Sequence, residues 1–268
     1  MAALPSRRGE VLSGPIHDSA ARGFDRAAEE YERGRPDYPT AAIDLLVSEL
    51  RLGPCSTVID LAAGTGKLTR GLTPTGARLV AVEPVAGMRA QLVRAVPGVE
   101  VLAGTAEAIP LEDGVADAVL VAQAFHWFDV PKAAAEIRRV LRDGGGLGVI
   151  WNVWDDSVAW VARMQKLVGA HRGETPQRGT SGWREQLAAT GLFTPLAERD
   201  LTHVVHGTLD VLLARNASVS FIATLPESER AQVLEGVRAL VAENPEAWDG
   251  DELVMPYVTQ VTWCWARS

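Results

Sequence analysis

Two carboxylates and the small residues between them are the part of this chain best suited to hold a ligand. Val58-Ile59-Asp60-Leu61-Ala62-Ala63-Gly64-Thr65-Gly66 is an apolar run that stops at an acid and turns through small side chains. Glu83, seventeen residues after Gly66, ends a second apolar run, Leu79-Val80-Ala81-Val82. Such runs are strands buried on both faces of a parallel sheet, and the side chains at their carboxyl ends meet in one crevice. A turn of small residues lets a ligand lie against bare backbone. An acid ending the second strand is placed to accept both hydroxyls of a ribose, so the pair predicts a nucleoside-containing cofactor.

Three cofactor classes use related turns. A phosphate-cradling loop needs G-x-x-x-x-G-K-[ST]. Here Leu61 stands where its first glycine belongs and Leu68 where its magnesium-binding hydroxyl belongs. A dinucleotide site needs G-x-G-x-x-G, and Gly64-Thr65-Gly66-Lys67-Leu68-Thr69 supplies only two of its three glycines. The remaining class, S-adenosylmethionine, carries no phosphate. Its sulfonium and ammonium are cationic, so an acid such as Asp60 is useful beside it and awkward beside a pyrophosphate.

On these residues the chain resembles the class I S-adenosylmethionine-dependent methyltransferases, the type 11 branch in particular. Further matching residues are Glu83-Pro84, Gly104-Thr105-Ala106-Glu107 and Gln123-Ala124-Phe125-His126-Trp127-Phe128. Tyr31-Glu32-Arg33-Gly34-Arg35-Pro36-Asp37-Tyr38-Pro39 is similar to a segment of small-molecule methyltransferases in that branch. Ala62 departs from the pattern, standing where many members carry the first glycine. The similarity spans about residues 24–154.

The resemblance implies an α/β, Rossmann-like class I methyltransferase fold. Its seven-stranded sheet is mostly parallel with the last strand antiparallel, and a helical cap is inserted after strand five. It implies cofactor contacts from Tyr31, Arg35, Asp60, Ala62, Gly64, Thr65, Gly66, Glu83, Pro84, Met88, Thr105, Ala106, Glu107, Gln123 and Ala124. Among these, Arg35 would pair with the methionine carboxylate, Tyr31 would close the pocket, and Glu107 would accept from the adenine amine. Each has a plainer alternative: Arg35 stacked on a tyrosine, Met88 in the core, Thr105 and Glu107 as helix-capping residues. His126 follows the fourth strand, where an acceptor would sit, and its ordinary pKa near 6.5 leaves it mostly neutral at pH 7, as a general base requires. A wall or capping role stays open for it. Five of the eight tryptophans lie between Trp127 and Trp183, which suggests an apolar, aromatic acceptor pocket. Phe24, Trp127 and Trp154 are the residues expected to face the acceptor.

The elements that must position these groups follow from pattern. Expected strands are 57–61, 78–82, 99–102, 117–121 and 147–151, alternating with helices at 41–50, 67–72, 88–96 and from 130 to the glycines at 144–146. Alternation of this kind means βαβ units and a largely parallel sheet. Beyond Trp151, helices are expected at 154–169, 183–190, 209–222 and 227–243, with a strand at 196–206. Tyr257–Trp265 alternates apolar and polar, which suits a last, antiparallel strand. Residues 1–20 are expected to be a loose tail and 21–268 one domain, with an arm at 21–40 and an insertion at about 152–190 covering the site.

At 268 residues and 47% hydrophobic content the chain can bury a full α/β core, and its net charge of −8 lacks the basic footprint of a nucleic-acid or anionic-membrane binder. Cys55 and Cys264, the only cysteines, have no metal-ligand spacing. They suit a cytoplasmic protein without a metal. The expected partner is a small-molecule acceptor, bound by a monomer or homodimer. The rival readings are a non-catalytic S-adenosylmethionine-binding protein and, less well supported, an NAD(P)-dependent oxidoreductase.

Overall fold

A computed structural model describes residues 32, 34–173, 175 and 182–267. Tyr31 and Phe24 lie outside the described residues. The apolar runs become β1 (Thr57–Leu61), β2 (Arg78–Val82), β3 (Glu100–Leu102), β4 (Ala116–Ala122) and β5 (Leu141–Trp154). All five β1 residues are buried, as a strand covered on both faces requires. Two more long strands follow, β6 (Ala197–Gly207) and, after the two-residue β7 (Trp248–Asp249), β8 (Glu252–Trp265).

The sheet order is β3-β2-β1-β4-β5-β8-β6. Strands β1 to β5 pair in parallel, and β8 runs antiparallel to both β5 and β6. The chain steps outward from β1 to β3, then returns to lay β4 on the other side of β1. That reversal opens a crevice at the carboxyl ends of β1 and β4, the usual ligand position in such sheets. The mostly parallel sheet with its last strand antiparallel is as the pattern indicated. β7 was not foreseen; it is the short return of a hairpin whose turn holds Gly250 at φ 59°.

Helices cover both faces. On one, α1 (Thr40–Glu49) and α2 (Lys67–Leu72) pack Ala42, Leu46, Leu68 and Leu72 against Val58, Leu120 and Ile150. Glycines in β5 permit this approach: a Cβ on Gly148 would lie 2.6 Å from Leu120 and 2.9 Å from Leu46. On the sheet's second main core, α4 (Val130–Val140) and α6 (Trp183–Ala189) contribute Ala134, Ile137, Trp183 and Leu187. The short α3 (Ala86–Ala95) sits beside β3. A further core joins α5 (Ala159–Gly169), α7 (Leu209–Ala217), α8 (Ser220–Ala223) and α9 (Glu227–Ala242) to Leu253, Met255 and Tyr257 of β8. The helical layer over the outer sheet thus draws on α5 and α7–α9, while α6 belongs to the main core.

Three of the boundaries that differ from expectation have a visible cause. Helix α4 stops at Val140, and the glycines at 144–146 instead form a bulge early in β5, between the Ala116–Leu141 and Ala118–Gly146 pairs. Trp154 is not helical: it pairs with Tyr257 at the end of β5, and α5 begins only at Ala159. The helix expected over 209–222 breaks in two, because the Ser218 hydroxyl donates to the Arg215 carbonyl that a continuing turn would use.

Candidate active site

The tip of β1 carries Asp60, which is buried. Its Oδ2 accepts the Thr69 hydroxyl at 2.5 Å, while Oδ1 has no hydrogen-bond partner among the described residues. Burial pushes this carboxyl up to about 7; Thr69 opposes the shift and the nearby Glu83 adds to it. Thr69, the residue that spoils a dinucleotide fingerprint, is therefore the anchor of the first acid. Glu83, at the tip of β2, is also buried and accepts from the N–H groups of Gly64 at 2.9 Å and Val85 at 2.8 Å. Burial raises its carboxyl, against the pull of those two N–H groups and of Arg89.

Between the acids the backbone is left-handed at Ala62 (φ 57°), Gly64 (58°) and Gly66 (88°). At Gly66 a Cβ would also come within 2.8 Å of Leu92 Cγ, so this position has no room for a side chain. Ala62 keeps the same backbone with a Cβ, at a cost of about 1–2 kcal/mol. A second non-glycine residue in this region is Gln123 (φ 61°), just past β4. Its Nε2 donates to the Asn152 carbonyl at 2.9 Å. Strained residues at both carboxyl ends flank the crevice, which is where ligand sites tend to store strain.

The other expected cofactor residues fall around this turn in different ways. Thr65 and Thr105 are buried with unpartnered hydroxyls. Ala106 and Met88 are buried, and the Pro84 carbonyl accepts from Arg89. Ala124 leads into the single turn Phe125–Trp127. Glu107 accepts the backbone N–H of Asp129 at 3.0 Å, and Asp129 caps α4. Buried polar atoms almost always find partners. The unsatisfied Asp60 Oδ1, Thr65 Oγ1 and Thr105 Oγ1 therefore suit a ligand bearing hydroxyls, an amine and a cation, and S-adenosylmethionine has all three.

Arg35, Pro36 and Tyr38 line the crevice together with Ala62–Gly64. The Arg35 guanidinium donates to Ser218 Oγ at 3.2 Å and its carbonyl at 3.4 Å. Asn152 Nδ2 donates to the Asp37 carbonyl at 3.1 Å, and Asn152 Oδ1 accepts from Thr259. On the other side Lys67 and Arg70 pair with Glu32 and Asp37.

A larger cavity of about 580 Å³ adjoins the crevice, and Arg35, Gln123, Asn152 and Arg215 line both. His126, Trp127, Trp151 and Trp154 line it too. The His126 ring lies 4.7 Å from that of Trp127 and 5.1 Å from that of Trp151, and Trp154 stacks on Tyr257 at 4.3 Å. Trp160 and Trp183 are core residues instead. The expectation of an apolar pocket needs correction: Arg35, Arg172, Arg215, Asp156 and Asp200 share the lining with the aromatics. Sequence reasoning missed Trp151, Asn152 and Arg215. Asn152 had a signal, a polar residue just after an apolar run, as at Asp60. Arg215 had another, a charge among the apolar residues of α7.

A family model described as a methyltransferase domain matches residues 59–149, the stretch from β1 into β5. An uncharacterized methyltransferase of Mycobacterium tuberculosis is 40% identical over 242 residues, 88% of this chain and 92% of its own. An uncharacterized methyltransferase-like protein of Schizosaccharomyces pombe is 34% identical over 237 residues, with the same shares covered. The structure of a putative type II methyltransferase from Anaeromyxobacter dehalogenans is similar at a TM-score of 0.62 and 24% identity, over 87% of this chain and 97% of that one. With the acid-ended strands, the small-residue turn and the switch-point crevice, these relationships show that the chain belongs to the class I S-adenosylmethionine-dependent methyltransferases.

Proposed function

We propose that the protein methylates a small molecule held in the aromatic and polar cavity beside the cofactor crevice, most simply at oxygen. The observation that carries this reading is the shared wall: Gln123, Asn152, Arg35 and Arg215 line both spaces, so donor and acceptor would meet there. When bound, S-adenosylmethionine supplies an already activated methyl group. What remains for the protein is to hold, orient and exclude water, and such positioning is worth roughly 7–11 kcal/mol.

In this reading Glu83, fixed by the Gly64 and Val85 N–H groups, accepts the ribose hydroxyls. Asp60 faces the cationic end, and Arg35 takes the methionine carboxylate. Trp127, Trp151 and Trp154 shield the reacting oxygen from water. His126, held between two indoles, takes the proton of an alcohol or phenol as methyl transfer proceeds. The free cysteines Cys55 and Cys264 support a reducing, cytoplasmic setting.

The test is S-adenosylhomocysteine release across a panel of phenols, alcohols, amines and carboxylates. His126→Ala should slow turnover of a protonated acceptor by roughly 10²–10⁴-fold, with cofactor affinity unchanged. Full turnover by that variant on a phenol would remove the base role. No turnover on any small acceptor would remove the reading.

A further inference from the structure

The larger cavity holds two arginines that nothing in the cofactor reading uses. Arg215 is 7% exposed, on α7 beside the buried Leu212, Ala214 and Ala217. Among the described residues its Nε and Nη1 have no hydrogen-bond partner. The buried Tyr257 hydroxyl lies beside it, and its guanidinium carbon lies 5.8 Å from the Trp154 ring centre. No described carboxylate pairs with it. An arginine stays charged even when buried, and an unpaired buried charge costs several kcal/mol. A site that keeps one has a use for it.

Arg172 lines the same cavity, its guanidinium 5.1 Å from the Phe221 ring centre. It also lacks a carboxylate partner among the described residues, and burial alone lowers its pKa. The cavity's two acids, Asp156 and Asp200, are both exposed, and Asp200 already accepts from Gln260. The buried part of the cavity is therefore positive, and the negative groups lie where water screens them.

We propose that the acceptor carries an anionic group, a carboxylate or a phosphate monoester, which Arg215 and Arg172 bind while the tryptophans hold its apolar body. This rests on the reading that the cavity is the acceptor site. Guanidinium groups suit both anions. Arg35 and Arg215 line crevice and cavity alike, whereas Arg172 lines only the cavity; Arg35 is left for the methionine carboxylate.

The test is calorimetry on protein saturated with S-adenosylhomocysteine, titrated with benzoate, phenyl phosphate and the neutral isostere benzamide. At least one anion should bind about tenfold or more tighter than benzamide, and the tighter one identifies the group recognised. Arg215→Gln should erase that preference, bringing the anion's affinity down to that of benzamide. Arg172→Gln, on a half-buried loop residue, should weaken anion binding in the same sense and keeps the test open if the first variant misfolds. Equal binding of anions and benzamide overturns the anion assignment alone. Loss of S-adenosylhomocysteine affinity in Arg215→Gln, with anion preference kept, overturns it by giving Arg215 to the cofactor. If no probe binds the loaded protein, the acceptor-site reading itself falls.

Discussion

Replacing Asp60 with asparagine keeps the shape of the crevice and removes one charge. Burial holds this carboxyl at about 7, against about 4 for an aspartate in an unfolded chain. Between those values the folded protein holds a proton that the unfolded chain has released, so stability without cofactor falls as pH rises from about 4 to about 7. The difference corresponds to about 4 kcal/mol. Cofactor affinity moves the other way, because only the ionised acid attracts the sulfonium and ammonium. The ionised fraction climbs from about 3% at pH 5.5 to about 75% at pH 7.5, so Kd for S-adenosylmethionine should drop about 25-fold over that range. Calorimetry in buffers of different ionisation enthalpy should find close to one proton released per cofactor at pH 5.5. Asp60→Asn should lose that proton, weaken binding at pH 7.5 by at least about tenfold, and melt at a higher temperature without cofactor. The buried Glu83 is intact in the variant, so any pH dependence left over belongs to it. A level Kd in the wild type, or a pH profile that the substitution leaves unchanged, refutes the reasoning.

Three smaller perturbations test the scaffold. Ala62→Gly relieves a left-handed alanine and should raise unfolding free energy by about 1 kcal/mol; denaturant titration reads it, and a loss would show the strain is absent. Gly66→Ala adds a Cβ 2.8 Å from Leu92 Cγ at φ 88° and should cost about 1–3 kcal/mol, with weaker cofactor binding in the same preparation. Asn152→Leu strips partners from the Asp37 carbonyl and the Thr259 hydroxyl. It should cost about 1–3 kcal/mol and speed proteolysis near Asp37; an unchanged digestion rate would show that this hydrogen bond does not hold the segment.

The first half of the fold was legible because its signals are local. β1 and β2 span the expected 57–61 and 78–82, bounded by Gly53-Pro54, by the small-residue turn and by Glu83-Pro84. Beyond Trp151 the deciding contacts are distant in sequence. Trp154 fits a helix period, yet pairing with Tyr257, about a hundred residues on, draws it into β5. At Glu107, expected at the adenine, one oxygen accepts from the Asp129 N–H at the start of α4, a contact the local pattern does not show. Asp60 and Glu83 could be located from the chain alone because strand ends converge by rule. Nothing local to α7 could show that Arg215 would meet Gln123 and Asn152 across a cavity.

The fastening of residues 32 and 34–39 combines charge with hydrogen bonds. Its ion pairs, Lys67 and Arg70 to Glu32 and Asp37, are partly solvated, so each contributes about 0–1 kcal/mol, and the Asn152 hydrogen bond adds about 1. Arg35 adds two hydrogen bonds to Ser218, so the segment is tied at once to α2, to β5 and to the residue after α7. Added salt should loosen only the first of these ties.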